Sequence, residues 1–378
     1  MHIFLSAGEA SGDLHASNLA RAIMTASPGV RLSCLGGPLL ESAGVPVIVN
    51  NRDISVVGAF EVLHHAKAIY RAWRKLRSHL ITDPPDAVVL IDFPDFNFFL
   101  GKFAKKNGTR IIYYISPQLW AWREYRVKTI RRLVDRMVVI LPFEEAFYDS
   151  HGMKVDYVGH PLIDALRAVP GLESSMRKYR SGTHEPLIGI LPGSRRSEMN
   201  LLFDTLMETA RQILRESPGA GFIIPVAPSL DPDMIRKRAS ARDLPIQVVE
   251  ADTYGVIRAC DLIITVSGTV TLESAILGTP MIIVNRVSRL SGEIGKRLIR
   301  VKWVGLPNLI AGREVVPEFI QDNARPEAIC AEAVSLLNNP ARLEQQRSEF
   351  SRIRGLLGKP GVADRVAKLV LKTAGDLR

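Results

Sequence analysis

Residues 262–284 of the chain read LIITVSGTVTLESAILGTPMIIV, a strand, a polar turn, a short helix and a second strand. Residues 262–266 are apolar and largely β-branched without alternation, the composition of a parallel strand buried on both faces. Ser267, Gly268 and Thr269 then turn the chain into a helix whose first N–H groups have no intrahelical acceptor and point back over the sheet edge. A helix N-terminus carries roughly half a positive charge, so this turn is a seat for a phosphate. Glu273, one helical turn on, is placed to accept hydrogen bonds from sugar hydroxyls.

The same alternation extends in both directions. Strands are expected at 187–191, 221–225 and 246–250 before this segment, which adds 262–266 and 281–284. Another set is expected at 3–7, 31–35, 46–49, 87–91, 110–115, 136–140 and 154–157, with helices between them such as 14–26, 62–80, 98–106 and 124–133. Strands alternating with helices imply parallel sheets joined by right-handed crossovers. The stretch 169–185, rich in Pro, Gly, Ser and charge, reads as a linker. The expected fold class is therefore α/β, with two Rossmann-like domains facing a cleft, 1–168 and 185–345. A helical tail, 346–378, returns to the first domain. Ligands of such sheets bind at the carboxyl ends of the strands.

Composition narrows the function. The 378 residues are 47% apolar and 23% charged, enough for two ordered cores. Cys34, Cys260 and Cys330 are scattered, without a C-x-x-C pair, which excludes a disulfide framework and fits a reducing cytoplasm. The eight histidines form no H-E-x-x-H or comparable spacing, so no metal and no cofactor are expected. The first residues lack the basic start and apolar core of a signal peptide. No uncharged apolar run approaches the ~18 residues of a membrane span. A net charge of +10 points to an anionic partner. Zinc-finger spacing and RNP-like aromatic motifs are lacking, which argues against nucleic acid and leaves a phosphorylated ligand or an anionic membrane surface.

Each informative motif follows a strand. Gly8-Glu9-Ala10-Ser11-Gly12-Asp13 is a glycine turn with Glu9 facing the cleft, and Ser11 or Asp13 as helix cap. It matches neither G-x-G-x-x-G nor a Walker loop. Asp92-Phe93-Pro94-Asp95-Phe96-Asn97 sets two carboxylates three apart on a proline-stiffened turn, where shielding from water raises basicity. Asp92, at the strand terminus, is the candidate general base, and Asp95 or Asn97 caps the next helix. Trp120 and Trp122, in a loop after Pro117, are expected to wall a groove for sugar or acyl chain. In Pro192-Gly193-Ser194-Arg195-Arg196-Ser197-Glu198, Ser194 can cap a helix and Arg195 can bridge a diphosphate. Together with Ser267–Thr269 this gives the second domain two anion sites. Asn308 and Arg313 stand in a further loop, Asn308 either as a ligand contact or as a turn residue.

These motifs, GEASGD at 8–13, IDFPDFN at 91–97, ISPQLWAWRE at 115–124, LPFEEAFY at 141–148, GHP at 159–161, LPGSRRSE at 191–198, SGTVTLES at 267–274 and LPNLIAGRE at 306–314, occur in one order over about 300 residues. In that order the chain resembles the lipid-A-disaccharide synthase family, bacterial glycosyltransferases of the GT-B type. The resemblance implies inverting transfer of 2,3-diacylglucosamine from UDP-2,3-diacylglucosamine to the 6-hydroxyl of 2,3-diacylglucosamine 1-phosphate, without a metal. It implies Asp92 as base and Glu9 near the reacting sugars. Asp95, Asn97, Trp120 and Trp122 would line the acceptor groove, and Ser194, Arg195, Ser267, Gly268, Thr269, Glu273 and Asn308 would bind the donor. It further implies a protein on the cytoplasmic face of the inner membrane, with a homodimer as one open option. Phe93 stands where the family often has a small residue. Rival readings are another GT-B enzyme using UDP-N-acetylglucosamine, such as a peptidoglycan-precursor transferase or an epimerase, and a non-enzymatic sugar-binding protein.

Between residues 57 and 80, Ala66, Ile69, Tyr70, Trp73 and Leu76 form an apolar stripe at helical spacing, flanked by Lys67, Arg71, Arg74, Lys75 and Arg77. This pattern reads as an interfacial helix that holds the protein to the membrane, or as a surface helix that packs the stripe on the domain core.

Overall fold

The computed structural model describes residues 1–54, 59–169, 171–180, 185–240, 242, 244–287 and 301–375, with the backbone alone at 59–66, 68 and 168. It divides into one unit of Met1–Pro161 with Leu357–Arg378 and a second of Leu162–Leu356.

In the first unit seven strands, β1 His2–Ala7, β2 Arg31–Gly36, β3 Val47–Asn50, β4 Ala87–Ile91, β5 Arg110–Tyr114, β6 Arg136–Val139 and β7 Asp156–Tyr157, form a sheet ordered β3-β2-β1-β4-β5-β6-β7. Every pairing is parallel, in register from Ile3 against Ala87 to Ala7 against Ile91 at the centre. All five β4 residues are buried, as a strand covered by helices on both faces requires. The helix Val362–Gly375 packs on the helix Ala10–Ala26, through buried residues such as Val366 and Val370 on the one and Leu19 and Ile23 on the other.

In the second unit, β8 Leu187–Leu191, β9 Gly221–Val226, β10 Ile246–Glu250, β11 Leu262–Val266, β12 Met281–Asn285 and β13 Glu318–Ile320 are again all parallel, ordered β10-β9-β8-β11-β12-β13. Each sheet reverses its winding once, between β1 and β4 and between β8 and β11. Ligands bind at such switch points, outside the carboxyl ends of the strands, because the two outgoing loops diverge there.

Two segments differ from expectation. The stretch 169–185 contains a helix, Leu172–Tyr179, packed on the helix Thr253–Ala259. Tyr179 is buried, and Lys178 and Tyr179 reach Asp252 at 2.6 and 2.5 Å, so this stretch belongs to the second unit. The return to the first unit comes at Leu357 rather than at 346. The helix Pro340–Leu356 packs on Thr269–Leu277, and its buried Gln346 accepts a hydrogen bond from the Met281 N–H. The short half-buried β13 carries no sequence periodicity and was not expected. Among the described residues no helix is long and apolar enough to cross a membrane.

Candidate functional site

The loop after β4 departs from relaxed backbone geometry at two successive residues. Asp92 and Phe93 both take left-handed conformations, φ 47° and 46°, which non-glycine residues rarely adopt. The surroundings over-determine this turn. Asn97 donates to the Ile91 and Asp92 carbonyls at 3.3 and 2.7 Å, Tyr113 Oη donates to the Asp92 carbonyl at 2.8 Å, and Ser6 Oγ donates to Asn97 Oδ1 at 2.6 Å. The Asp92 carboxyl is pushed up to about 6, by burial first and by the Glu9 charge second, against a hydrogen bond from the Phe93 N–H. Glu9 is the N-cap residue of Ala10–Ala26, and its charge acts on the Asp92 carboxyl. Phe93 lies across Gly8, where an added Cβ would sit 2.1 Å from its ring, so the two loops of this switch point close on each other only with glycine there.

The other residues expected here separate into distinct roles. Asn97 is fully buried and spends its amide on the turn, so it positions Asp92 rather than lining a groove. Asp95 is exposed and paired with Arg126 at 2.6 Å and Arg123 at 3.3 Å. Burial would raise its carboxyl, but the two guanidiniums hold it below its ordinary value. Neither Asp95 nor Asn97 caps the helix Pro94–Lys106, whose N-cap is Phe93. Asp13 caps a different helix from the one expected, accepting from Gly37, Leu39 and Leu40 N–H groups at the start of Pro38–Ser42. Trp122 is 41% exposed with the Arg123 guanidinium 3.7 Å over its ring. Trp120 is half-buried and donates to Glu144 at 3.3 Å. Glu144, unassigned by sequence reading, is buried and its carboxyl is pushed up to about 7 by burial, against N–H donors from Leu141 and Ile140.

At the second switch point a pocket of about 630 Å³ is lined by the loops after β8, β9, β10 and β11. Ser194, Arg195, Ser267, Gly268, Thr269 and Glu273 all line it. Gly193 has φ 108°, and a Cβ there would come within 2.7 Å of Glu198 Oε2, so glycine is required by both backbone and space. Arg195 is the N-cap residue of Arg196–Glu216, displacing the expected Ser194, whose carbonyl instead accepts from Ser229 Oγ at 2.6 Å. The Arg195 side chain is 65% exposed and bonded to Glu198 at 3.2 Å, within reach of an anion. Gly268 begins the helix Thr269–Leu277, whose first N–H groups face the pocket.

Two parts of this pocket escaped sequence reading. Pro225, Ala227 and Pro228 form an apolar wall, and Tyr254 donates to Glu273 Oε1 at 3.1 Å. Burial raises the Glu273 carboxyl, and Tyr254 orients it. Their one signal was position at the carboxyl ends of β9 and β10. Asn308 lines no part of this pocket. It is fully buried, donates to the Val316 carbonyl and to Glu318, and accepts from the Val315 and Val316 N–H groups. Glu318 in turn accepts from Val304 and Gly305 N–H, and the Val304 carbonyl accepts from Ser267 Oγ at 3.0 Å. Asn308 thus braces the loop that holds Ser267.

In the helix Ala59–Thr82, residues 57 and 58 of the expected amphipathic segment lie outside the described residues, as does the Ala66 side chain. The stripe is divided. Leu76 is fully buried in the core, and Trp73 packs at a tilt against Phe99 and edge-on against Phe103, with ring centroids 4.3 and 5.3 Å away. Tyr70 is 61% exposed, and Lys67, Arg71, Arg74, Lys75 and Arg77 are exposed.

A family model described as lipid-A-disaccharide synthetase matches residues 3–369. The chain is 44% identical over 373 residues to a lipid-A-disaccharide synthase of Geobacter sulfurreducens, covering 99% of this chain and 97% of that protein. Among solved structures, UDP-GlcNAc 2-epimerase from Neisseria meningitidis bound to UDP-GlcNAc is similar with a TM-score of 0.63 at 14% identity, over 98% of this chain and 100% of that one. MurG from Acinetobacter baumannii gives 0.61 at 16% identity, over 98% and 99%. At these identities the structures speak for the GT-B fold alone.

Proposed function

The chain belongs to the lipid-A-disaccharide synthetase family of GT-B glycosyltransferases, and on that premise we propose how its residues divide the work of the reaction. The substrates are UDP-2,3-diacylglucosamine and 2,3-diacylglucosamine 1-phosphate, and the products are the β-1,6-linked disaccharide 1-phosphate and UDP. The reading rests above all on Asp92, a half-buried carboxylate in a strained turn at a switch point, with its pKa pushed up to about 6. Such a carboxylate is ionised at neutral pH yet basic enough to take a proton as a bond forms.

The first unit activates the acceptor. Asp92 takes the proton of the acceptor's 6-hydroxyl while that oxygen attacks the anomeric carbon of the donor sugar. The attack comes from the face opposite the UDP oxygen, so the configuration inverts. The charge of Glu9 raises the basicity of Asp92, and Glu9 faces the reacting sugars. Asp95, held as an anion by Arg123 and Arg126, serves as part of the groove and not as the base.

The second unit holds the donor. The diphosphate sits over the N–H groups that open Thr269–Leu277, with Arg195 closing on it, and Glu273 accepts from the ribose. The uracil lies against Pro225, Ala227 and Pro228 beside the 251–254 loop. As the glycosidic bond breaks, negative charge grows on the diphosphate, and prepositioned N–H groups and a guanidinium stabilise it without reorganisation. The exposed bases of Ala59–Thr82, with Tyr70 and with Phe99 of the adjacent helix, rest on the anionic surface in which the acylated substrates reside.

Release of UDP from the acylated donor, measured with and without the acylated glucosamine 1-phosphate acceptor, tests the reading. Acceptor-dependent release with a disaccharide product is expected. Consumption of donor without acceptor, as in epimerisation, would overturn it.

A further inference from the structure

The amino ends of β1 and β2 lie at the opposite end of the parallel strands from Asp92. There His2, Ser33, His79 and Asp83 form a polar cluster. The His2 Nε2 and His79 Nε2 atoms lie 2.8 and 3.1 Å from the same Ser33 hydroxyl. The Ser33 oxygen can accept from both rings, which leaves each ring a lone pair on its other nitrogen. The His2 ring is 5% exposed, and its Nδ1 is buried without a hydrogen-bond partner. That nitrogen faces Asp83 Oδ1 at 3.7 Å, too far for a hydrogen bond in either tautomer. Buried polar atoms are normally satisfied, so an orphan aimed at a carboxylate calls for a third body.

We propose that His2, His79 and Asp83 bind one divalent transition ion, with zinc the best match, at a site remote from the reaction. One ligand atom from each of the three residues lies within 4.8 Å of the others, the one group of this kind among the described residues. Two ligands about 2.0–2.2 Å from a common ion stand about 3.3–3.6 Å apart at the tetrahedral angle, so the 3.7 Å between His2 Nδ1 and Asp83 Oδ1 closes to that span with a small shift of either side chain. Two imidazoles and a carboxylate suit zinc and its first-row neighbours better than magnesium or calcium. The Ser33 hydroxyl against His2 Nε2 supplies the outer hydrogen bond that fixes a ligating ring.

Arg31 is the competitor. It holds Asp83 through both oxygens, Nη1 to Oδ2 at 2.8 Å and Nη2 to Oδ1 at 2.6 Å. Ion binding claims Oδ1 and leaves Arg31 on Oδ2. Asp86, which accepts from the His2 main-chain N–H at 2.7 Å, adds a second negative charge nearby. The ion would tie the C-terminal end of Ala59–Thr82 to β1. No short spacing advertises the site, because residues 2 and 79 come together only through the sheet.

The test uses the full, untagged chain, stripped with a chelator and titrated with Co²⁺ as a visible-absorbing probe. Expected are one equivalent bound, absorption of the intensity given by four-coordinate cobalt, displacement by Zn²⁺, and a higher melting temperature with Zn²⁺. Asp83→Asn and His79→Ala should each weaken binding at least about tenfold and lose the absorption, with UDP release unchanged. All three cysteines are buried, which keeps thiolate binding from mimicking the signal. Absence of stoichiometric binding by the wild-type chain would overturn the proposal. So would undiminished binding by whichever variant folds, the conservative Asp83→Asn included.

Discussion

At Asp92 a left-handed backbone and a half-buried carboxylate coincide, and both oppose stability. The sign follows from linkage. Its pKa in the folded chain, about 6, lies above the ordinary value of 3.8, so the folded state binds the proton more tightly. Stability associated with this group is fully present below the ordinary value and falls as pH rises through about 6. Asp92→Asn removes that cost and suits a left-handed position. It should raise stability at pH 7.5 by up to ~2–3 kcal/mol, read as a higher melting temperature. Turnover should fall roughly 10²–10⁴-fold with UDP affinity unchanged, and the wild-type kcat/KM should lose activity below about pH 6. Near-normal turnover in the variant would transfer the role to another group. Arg195 makes the complementary case. Its bond to Glu198 is exposed and of little worth, whereas a charge-assisted bond to diphosphate contributes about 1.5–3 kcal/mol. Arg195→Ala should weaken UDP binding by that amount in calorimetry and leave the melting temperature of the UDP-free chain nearly unchanged.

At the scale of elements, the helix Ala59–Thr82 shows how one amphipathic pattern serves two masters. Its buried residues Ala72, Leu76 and Leu80 hold it to the sheet. Lys67, Arg71, Arg74 and Lys75 fall at i, i+4, i+7 and i+8, one face of a helix turned to solvent. Near an anionic surface each such base contributes about 1 kcal/mol, so four hold the chain there reversibly. Flotation with anionic liposomes should show binding at low salt that is lost at high salt. The triple variant Arg71→Glu, Arg74→Glu, Lys75→Glu should remain in the protein fraction. Binding indifferent to both changes would exclude this face as the contact.

For the whole molecule, the two units differ in how the chain builds them. The second is continuous, Leu162–Leu356, whereas the first needs both ends of the chain. Val362–Gly375 covers Ala10–Ala26, whose Leu19 and Ile23 are fully buried. A fragment 162–356 should therefore fold and bind UDP within a few-fold of the full chain, since every residue of the pocket belongs to it. Truncation after residue 356 should leave the first unit unfolded or aggregated by circular dichroism and sedimentation. If the fragment folds and fails to bind UDP, the donor site lies elsewhere.

Most of the fold was legible because buried parallel strands are short apolar runs and their helices begin and end at turn residues. Residues 262–266 and 87–91 needed no context to be read as strands. The order of strands, and so the switch points where Asp92 and Arg195 stand, came from the sheets themselves, because the handedness of the crossovers does not fix that order. Chemical type also carried far: Asp92, Arg195, Ser267, Thr269 and Glu273 lie at the strand ends where their motifs had placed them. What the tertiary structure alone decided is how each polar group is occupied. Asn97 and Asn308 looked like ligand contacts, yet burial commits every bond of the Asn308 amide to its own chain and turns both residues into braces. Tyr254 against Glu273, Phe93 across Gly8, and His2 beside Asp83 are contacts between residues distant in sequence or set by a single φ angle. A linear pattern records a residue's kind and local period, whereas desolvation and hydrogen-bond partners exist only once the sheets have closed.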